Sequence, residues 1–281
     1  MIAPCTYGWR GRRKSLLKPT SSRRLAVAFV LLCLIVVPFF SSRAGSDIGV
    51  VVLHGKQGVP GGRTMGLFIR ALMNAGYAVQ APEMCWSNYR IYDAAFPDCL
   101  RDIDTAIAAL RAAGARRIVV AGQSLGGLAA LVYSAQHPDL TGVIALAPAG
   151  EPSALARNPR VVQSVAKARQ MLAAGQGRQR INFDDVNAGV TFTVYTTPAI
   201  FLSFMDPSGP ADFVTSLSQI HVPVIWVAGT EDRTQGQAQA LFGRLPANPL
   251  SRFIQVTSTH VGTSQAGTNS VLDWLKTLPA S

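Results

Sequence analysis

Covalent chemistry is best served in this chain by Gly122-Gln123-Ser124-Leu125-Gly126, a serine with a glycine two positions away on each side. The apolar run Arg117-Ile118-Val119-Val120-Ala121 before it predicts a strand, and Gly127-Leu128-Ala129-Ala130-Leu131-Val132-Tyr133 after it predicts a helix. A turn that tight brings strand and helix so close that a Cβ two residues from the serine would clash, hence the glycines. The serine then sits strained at the sheet's end, under the amide N–H groups and positive dipole end of the helix. Negative charge that develops during acyl transfer would be stabilised there.

A serine hydroxyl is a poor nucleophile at neutral pH. It needs a base, and the base needs an acid to orient it. His260 follows the apolar run Phe253-Ile254-Gln255-Val256 after a short Thr257-Ser258-Thr259 loop, which places it at the same sheet edge as Ser124. His137 reads as a helix-end solvent residue, His221 precedes a strand at the opposite edge, and His54 belongs to another loop. Asp232, in Gly229-Thr230-Glu231-Asp232 directly after Val224-Ile225-Trp226-Val227, is the expected acid. Glu231 would point elsewhere, and Asp206, in Met205-Asp206-Pro207-Ser208-Gly209, reads as a turn cap.

The third requirement is an oxyanion site. Leu53-His54-Gly55-Lys56-Gln57-Gly58 follows the first strand, where a glycine lets the backbone approach a substrate oxygen. The expected donors are the amides of Lys56 and of Leu125, the residue after the serine. A phosphate-cradling loop is the competing reading, but the Gly-Lys-Ser/Thr ending is missing. No metal-ligand spacing occurs in the sequence, and no cofactor is expected.

The elements that must hold these residues alternate along the chain. Strands are expected at 48–53, 77–81, 117–121, 142–147, 222–228 and 253–256, and helices at 64–75, 99–113 and 271–278. Such alternation implies an α/β fold, a mostly parallel, doubly wound sheet with helices on both faces. The stretch at about 149–218 breaks it and reads as a cap over the C-terminal ends of the strands. It holds a basic helical piece (161–174), a β-branched run (190–197) and an aromatic cluster of Phe192, Tyr195, Phe201, Phe204 and Met205. That cluster is either the cap's own small core or an acyl pocket.

Residues 1–44 belong to a different physical object. They carry eight Lys or Arg and no acidic residue, and include the sixteen uncharged residues Leu25 to Phe40. This is the layout of an export signal, giving a periplasmic or secreted product. Ser42-Arg43-Ala44 offers small residues for cleavage before Gly45, and an uncleaved membrane anchor stays open. The leader accounts for most of the net charge of +11: without it, 18 basic face 15 acidic residues, or +3. The basicity therefore follows positive-inside topology, and no nucleic-acid partner is expected. Cys5 and Cys33 fall in the leader. Cys85 and Cys99 remain for the exported part, as a disulfide or as two buried thiols, with Trp86, Tyr89 and Tyr92 available to pack the loop between them.

Taken together, His54-Gly55, Gly122-Gln123-Ser124-Leu125-Gly126, Gly229-Thr230-Glu231-Asp232 and His260 stand in the order of the α/β-hydrolase superfamily, which the chain resembles over residues 48–278. The Ala147-Pro148 strand exit is also similar. Locally, 197–210 and Pro82-Glu83-Met84 resemble uncharacterised bacterial hydrolases. Gln123 stands where many relatives carry histidine, a position beside the nucleophile and outside the triad. The resemblance implies an α/β-hydrolase fold lacking the first two strands, in residues 45–281. It also implies a serine hydrolase acting on a small ester or related acyl substrate through Ser124, His260 and Asp232. The reading from another class is a catalytically silent scaffold that binds at the membrane surface.

Overall fold

A computed structural model of the chain describes residues 46–279. The expected leader, with Cys5, Cys33 and the cleavage point before Gly45, lies outside the described residues. No helix among the described residues is long and apolar enough to cross a membrane.

Six described strands form one parallel sheet: β1 (Ile48–Leu53), β2 (Ala78–Gln80), β3 (Arg117–Gln123), β4 (Gly142–Leu146), and, beyond the cap, Val224–Gly229 and Arg252–Val256. The cap contributes β5 (Ile181–Asn187) and β6 (Val190–Thr196), so the last two sheet strands are β7 and β8. The order is β2-β1-β3-β4-β7-β8. The chain leaves β1 toward one side for β2 and then crosses to the other side for β3. The crevice between the C-terminal ends of β1 and β3 is therefore a topological switch point, where open α/β sheets bind ligands.

Side-chain alternation sends β1 into two cores. Ile48, Val50 and Val52 pack with Met65, Phe68 and Leu72 of helix α1 (Arg63–Asn74) on one face. Val51 and Leu53 face the other core, with Ile103 and Leu110. The helix expected at 99–113 is two pieces, α2 (Phe96–Cys99) and α3 (Arg101–Ala112). Pro97 in the first turn of α2 starts it earlier than the apolar spacing suggested. After β3 comes α4 (Leu125–Gln136), whose residues 125–134 are all buried. A helix apolar on every side must be enclosed by sheet and cap, not laid on a surface.

The cap holds α5 (Pro152–Leu155), α6 (Pro159–Ala173), the antiparallel hairpin β5–β6, and α7 (Pro198–Met205). Strand β5 is absent from the sequence expectation because Asn182, Asp184, Asp185 and Asn187 dilute its apolar alternation. Its two-residue turn, Ala188 and Gly189, has φ 49° and 82°, the positive values a type I′ hairpin turn requires. Phe201 stacks on Phe183 at 4.6 Å within the cap, but Phe204 stacks on Tyr92 at 4.2 Å outside it. These aromatics therefore join the core that the cap shares with one face of the sheet, not a separate core of the cap, and Tyr195 is exposed.

Cys85 and Cys99 are joined by a disulfide with their Cα atoms 5.7 Å apart. Trp86 and Tyr92 pack beneath the enclosed loop, but Tyr89 does not: it is 77% exposed. The bond closes a 14-residue separation. Its reduction is expected to lower unfolding stability by about 2 kcal/mol, the lower end for such bonds because this domain is larger than the small secreted ones. Thermal unfolding with and without reductant, beside thiol titration of the native protein, measures this; two titratable thiols under oxidising conditions would remove the bond.

Candidate active site

Ser124 links β3 to α4 with φ 58° and ψ −122°, a conformation that is costly for a residue with a side chain. The surroundings force it. A Cβ at Gly126 would stand 2.5 Å from the carbonyl oxygen of Leu53 at the end of β1. One at Gly122 would overlap the carbonyl of Gly126. Any other residue at either site would push strand and helix apart, so the glycines hold the hydroxyl out from the sheet edge.

The expected acid and base stand in the loops after the last two strands of the sheet. The loops after β7 and β8 are tied by Thr230 N–H to Val256 O at 2.9 Å and Glu231 N–H to Ser258 O at 3.1 Å. This places His260 between Asp232 and the serine. Its Nδ1 lies 2.6 Å from Asp232 Oδ2 and its Nε2 lies 2.9 Å from Ser124 Oγ. With a carboxylate at Nδ1, the ring carries its proton there and offers Nε2 to the serine hydroxyl. Asp232 Oδ1 accepts from the Thr234 hydroxyl at 2.7 Å and the Thr234 amide at 2.9 Å. Burial raises the Asp232 carboxyl, but hydrogen bonds from His260 and Thr234 outweigh this and leave it below its ordinary value. The carboxylate stays charged at neutral pH.

The loop after β1 lies against Ser124. A Cβ on Gly55 would come within 2.7 Å of Gln123 Oε1 and 3.2 Å of Ser124 Cβ, so a side chain here would displace the Gln123 amide and crowd Ser124. The loop is fastened from the 83–92 segment. Trp86 Nε1–H donates to His54 O at 2.8 Å and Gln57 N–H to Trp86 O at 2.9 Å. Met84 N–H donates to His54 Nε2 at 3.1 Å, which requires that nitrogen to be unprotonated, and His54 Nδ1 faces Gly55 O at 2.9 Å. Burial lowers the His54 pKa, consistent with a neutral structural ring.

Two cavities flank Ser124. One, of about 440 Å³, is walled by Gln57, Val59, Arg63 and Tyr89; the other, of about 600 Å³, by Leu125, Leu155, Val186 and Glu231. Ser124, Lys56, His260 and the hairpin tip at Asn187 and Ala188 border both. Neither the four cap aromatics named above nor Met205 borders either cavity, which removes them as an acyl pocket.

Thus Ser124, His260 and Asp232 meet in one hydrogen-bonded line, and Lys56 and Leu125 border the larger cavity with the serine. Asp206 is instead paired with Arg169 at 2.7 Å. Sequence reasoning did not single out Thr234, nor the contact of Gln123 Nε2 with His260 O at 3.2 Å. A hydroxyl two residues after an aspartate is the turn-forming pattern that signals the first; only the fold brings the second together. Among the described residues no cluster has the makings of a metal site.

The sequence profile of the family described as serine aminopeptidase, S33, matches residues 47–254. No curated protein sequence matches the chain. Among solved structures, Est1E from Butyrivibrio proteoclasticus with bound ferulic acid is similar at a TM-score of 0.61 and 15% identity, over 81% of this chain and 88% of that one. The monoacylglycerol lipase of Paleococcus ferrophilus is similar at 0.56 and 19% identity, over 80% and 93%. A structure of the metagenome-derived lipolytic enzymes LipS and LipT gives 0.54 and 20%, over 82% and 91%. At these identities the likeness speaks for the fold alone.

Proposed function

We propose, on the premise that the chain belongs to the S33 serine aminopeptidase family of α/β-hydrolases and is a hydrolase, that it cleaves carboxylic esters through an acyl-enzyme. The observation that carries this reading is the unbroken line Ser124 Oγ, His260 Nε2, His260 Nδ1, Asp232 Oδ2 at 2.9 and 2.6 Å. As His260 Nε2 takes the hydroxyl proton, Ser124 Oγ attacks the acyl carbon. The carbonyl oxygen becomes an oxyanion held by the N–H groups of Lys56 and Leu125. The intermediate collapses, His260 returns the proton to the departing alkoxide, and an alcohol leaves. Water then attacks the acyl-serine with the same base, releasing the acid and restoring Ser124.

The two cavities suit the two arms of an ester. The larger, more apolar one would take the acyl or alcohol arm of greater bulk. The alternative substrate is an aminoacyl amide, favoured by one observation: besides Asp232, Glu231 is the carboxylate bordering a cavity, where it could meet a substrate ammonium. We place the enzyme outside the inner membrane on the strength of the leader, with membrane contact only through that segment where it stays uncleaved.

The test is labelling of the full chain by a fluorophosphonate probe, followed by turnover of p-nitrophenyl esters and aminoacyl p-nitroanilides. Labelling that disappears in Ser124→Ala, with ester turnover the faster, is the expected result. A folded protein that takes no label would point to the silent scaffold, and faster anilide turnover would move the substrate class to amides.

A further inference from the structure

Lys56 has a second engagement that the acyl-transfer reading does not use. Its side chain is 95% buried, and its ammonium forms an ion pair with a fully buried carboxylate, Asp185 of β5, 129 residues along the chain. The Nζ lies 2.8 Å from Oδ1 and 2.9 Å from Oδ2, and donates also to Val186 O at 3.1 Å. Asp185 Oδ2 accepts from the Tyr92 hydroxyl at 2.7 Å, and Oδ1 from the Val186 amide at 2.6 Å. Burial, then the neighbouring carboxylate, pushes the Tyr92 pKa well up, so the phenol stays a donor. Next along β5, Asn187 Nδ2 donates to Lys56 O at 3.2 Å and to Gln57 Oε1 at 3.0 Å. The cap hairpin thus grips both the side chain and the carbonyl of one loop residue.

That residue carries the proposed oxyanion amide. Its peptide joins Gly55 to Lys56, and glycine leaves the preceding torsions free to take many values. The carbonyl of that peptide, Gly55 O, accepts from Gly58 N–H at 2.9 Å and faces His54 Nδ1 at 2.9 Å, which holds one end of the peptide plane, while the hairpin holds the Lys56 end. We infer that Asp185 is a positioning residue for the oxyanion hole: by fixing Lys56 through the buried ion pair, the hairpin aims the Lys56 N–H at the reacting carbonyl. A buried pair with every donor and acceptor occupied favours one geometry over all others, which suits this task. The inference rests on the acyl-transfer reading. Under it the cap hairpin is part of the catalytic apparatus as well as a wall of the cavities.

An oxyanion donor acts in the transition state and little in the ground state. Removing one outright lowers kcat about 10²- to 10³-fold, and a misaimed donor retains part of its effect. In the full chain, Asp185→Asn and Lys56→Met are each expected to lower kcat for a p-nitrophenyl ester by roughly 10- to 100-fold, with KM changed less than about threefold. Affinity for a trifluoromethyl ketone, which forms an oxyanion on Ser124, should fall by the same factor as kcat. The double variant should match either single one, because both cut a single tether. Asn187→Ala, at the hairpin tip, removes the carbonyl grip and the bond to Gln57 Oε1 and leaves the ion pair in place. It should show a smaller loss of the same pattern, and it serves if the buried substitutions do not fold. Folded variants with unchanged kcat, or with the loss in KM and ketone affinity unaltered, overturn the positioning role. An inactive wild-type chain would instead sink the ester reading itself.

Discussion

Asp232→Asn is expected to lower kcat by about 10⁴, the scale set by an amide that stabilises the wrong imidazole tautomer. The side-chain amide would present a donor to His260 Nδ1, now 2.6 Å away, so the ring proton would move to Nε2 and point at Ser124 Oγ. The hydroxyl would lose its acceptor. The fold should persist, because Thr234 can keep its backbone bond to the side-chain oxygen that now accepts at 2.9 Å. Turnover measured beside a thermal melt separates these effects. If Asp206→Asn is crippling and Asp232→Asn harmless, the acid has been assigned to the wrong residue. The Asp206 pair with Arg169 at the molecular surface argues against that outcome.

Gly122→Ala should damage stability and chemistry together. The added methyl would overlap the carbonyl of Gly126 and come within 2.7 Å of the Gly127 amide nitrogen, which are backbone atoms with no rotamer to escape through. Overpacking of this kind costs about 3 kcal/mol. The start of α4 must move to make room, and Ser124 with it; a displacement near 1 Å costs roughly 10²-fold in rate. Gly243→Ala is the control. There a methyl would meet Ala240 O at 3.4 Å with φ already at −64°, and stability should stay within about 0.5 kcal/mol of wild type. Denaturant unfolding and phosphonate labelling rates on both variants test the contrast. Equal behaviour would mean the turn is softer than its contacts imply.

The catalytic edge was legible because its chemistry is bound to local patterns. Ser124, Asp232 and His260 each follow a mostly apolar strand, and strand ends can be read from a single window of sequence. The six sheet strands were expected within two residues of their observed bounds for the same reason. The hairpin was only half legible. Val190–Thr196 is β-branched enough to announce itself, whereas Ile181–Asn187 is not. Its inward positions run Ile181, Phe183, Asp185, and a carboxylate at a core position looks like a broken pattern until its partner is known. That partner, Lys56, is brought there by the tertiary fold, as Gln123 is brought to His260 O. The role of Tyr89 was misread because an aromatic in a cysteine-bounded loop says nothing about which way the loop turns.

Three of the site's contacts span long stretches of chain. Ser124 and His260 stand 136 residues apart, Lys56 and Asp185 129, Tyr92 and Asp185 93. Each closes a large loop, and the entropy of such closure is lost before the contact returns anything. Helix α4 and the strands beside it can form from nearer neighbours, but the hydrogen-bonded line cannot exist until β8 has joined the sheet and delivered His260. Under the proposed reading, activity would therefore be acquired only once β8 is in place. A growing or truncated chain that lacks its last 22 residues, from His260 onward, would still hold Ser124, Lys56 and Leu125, and under that reading would be inert.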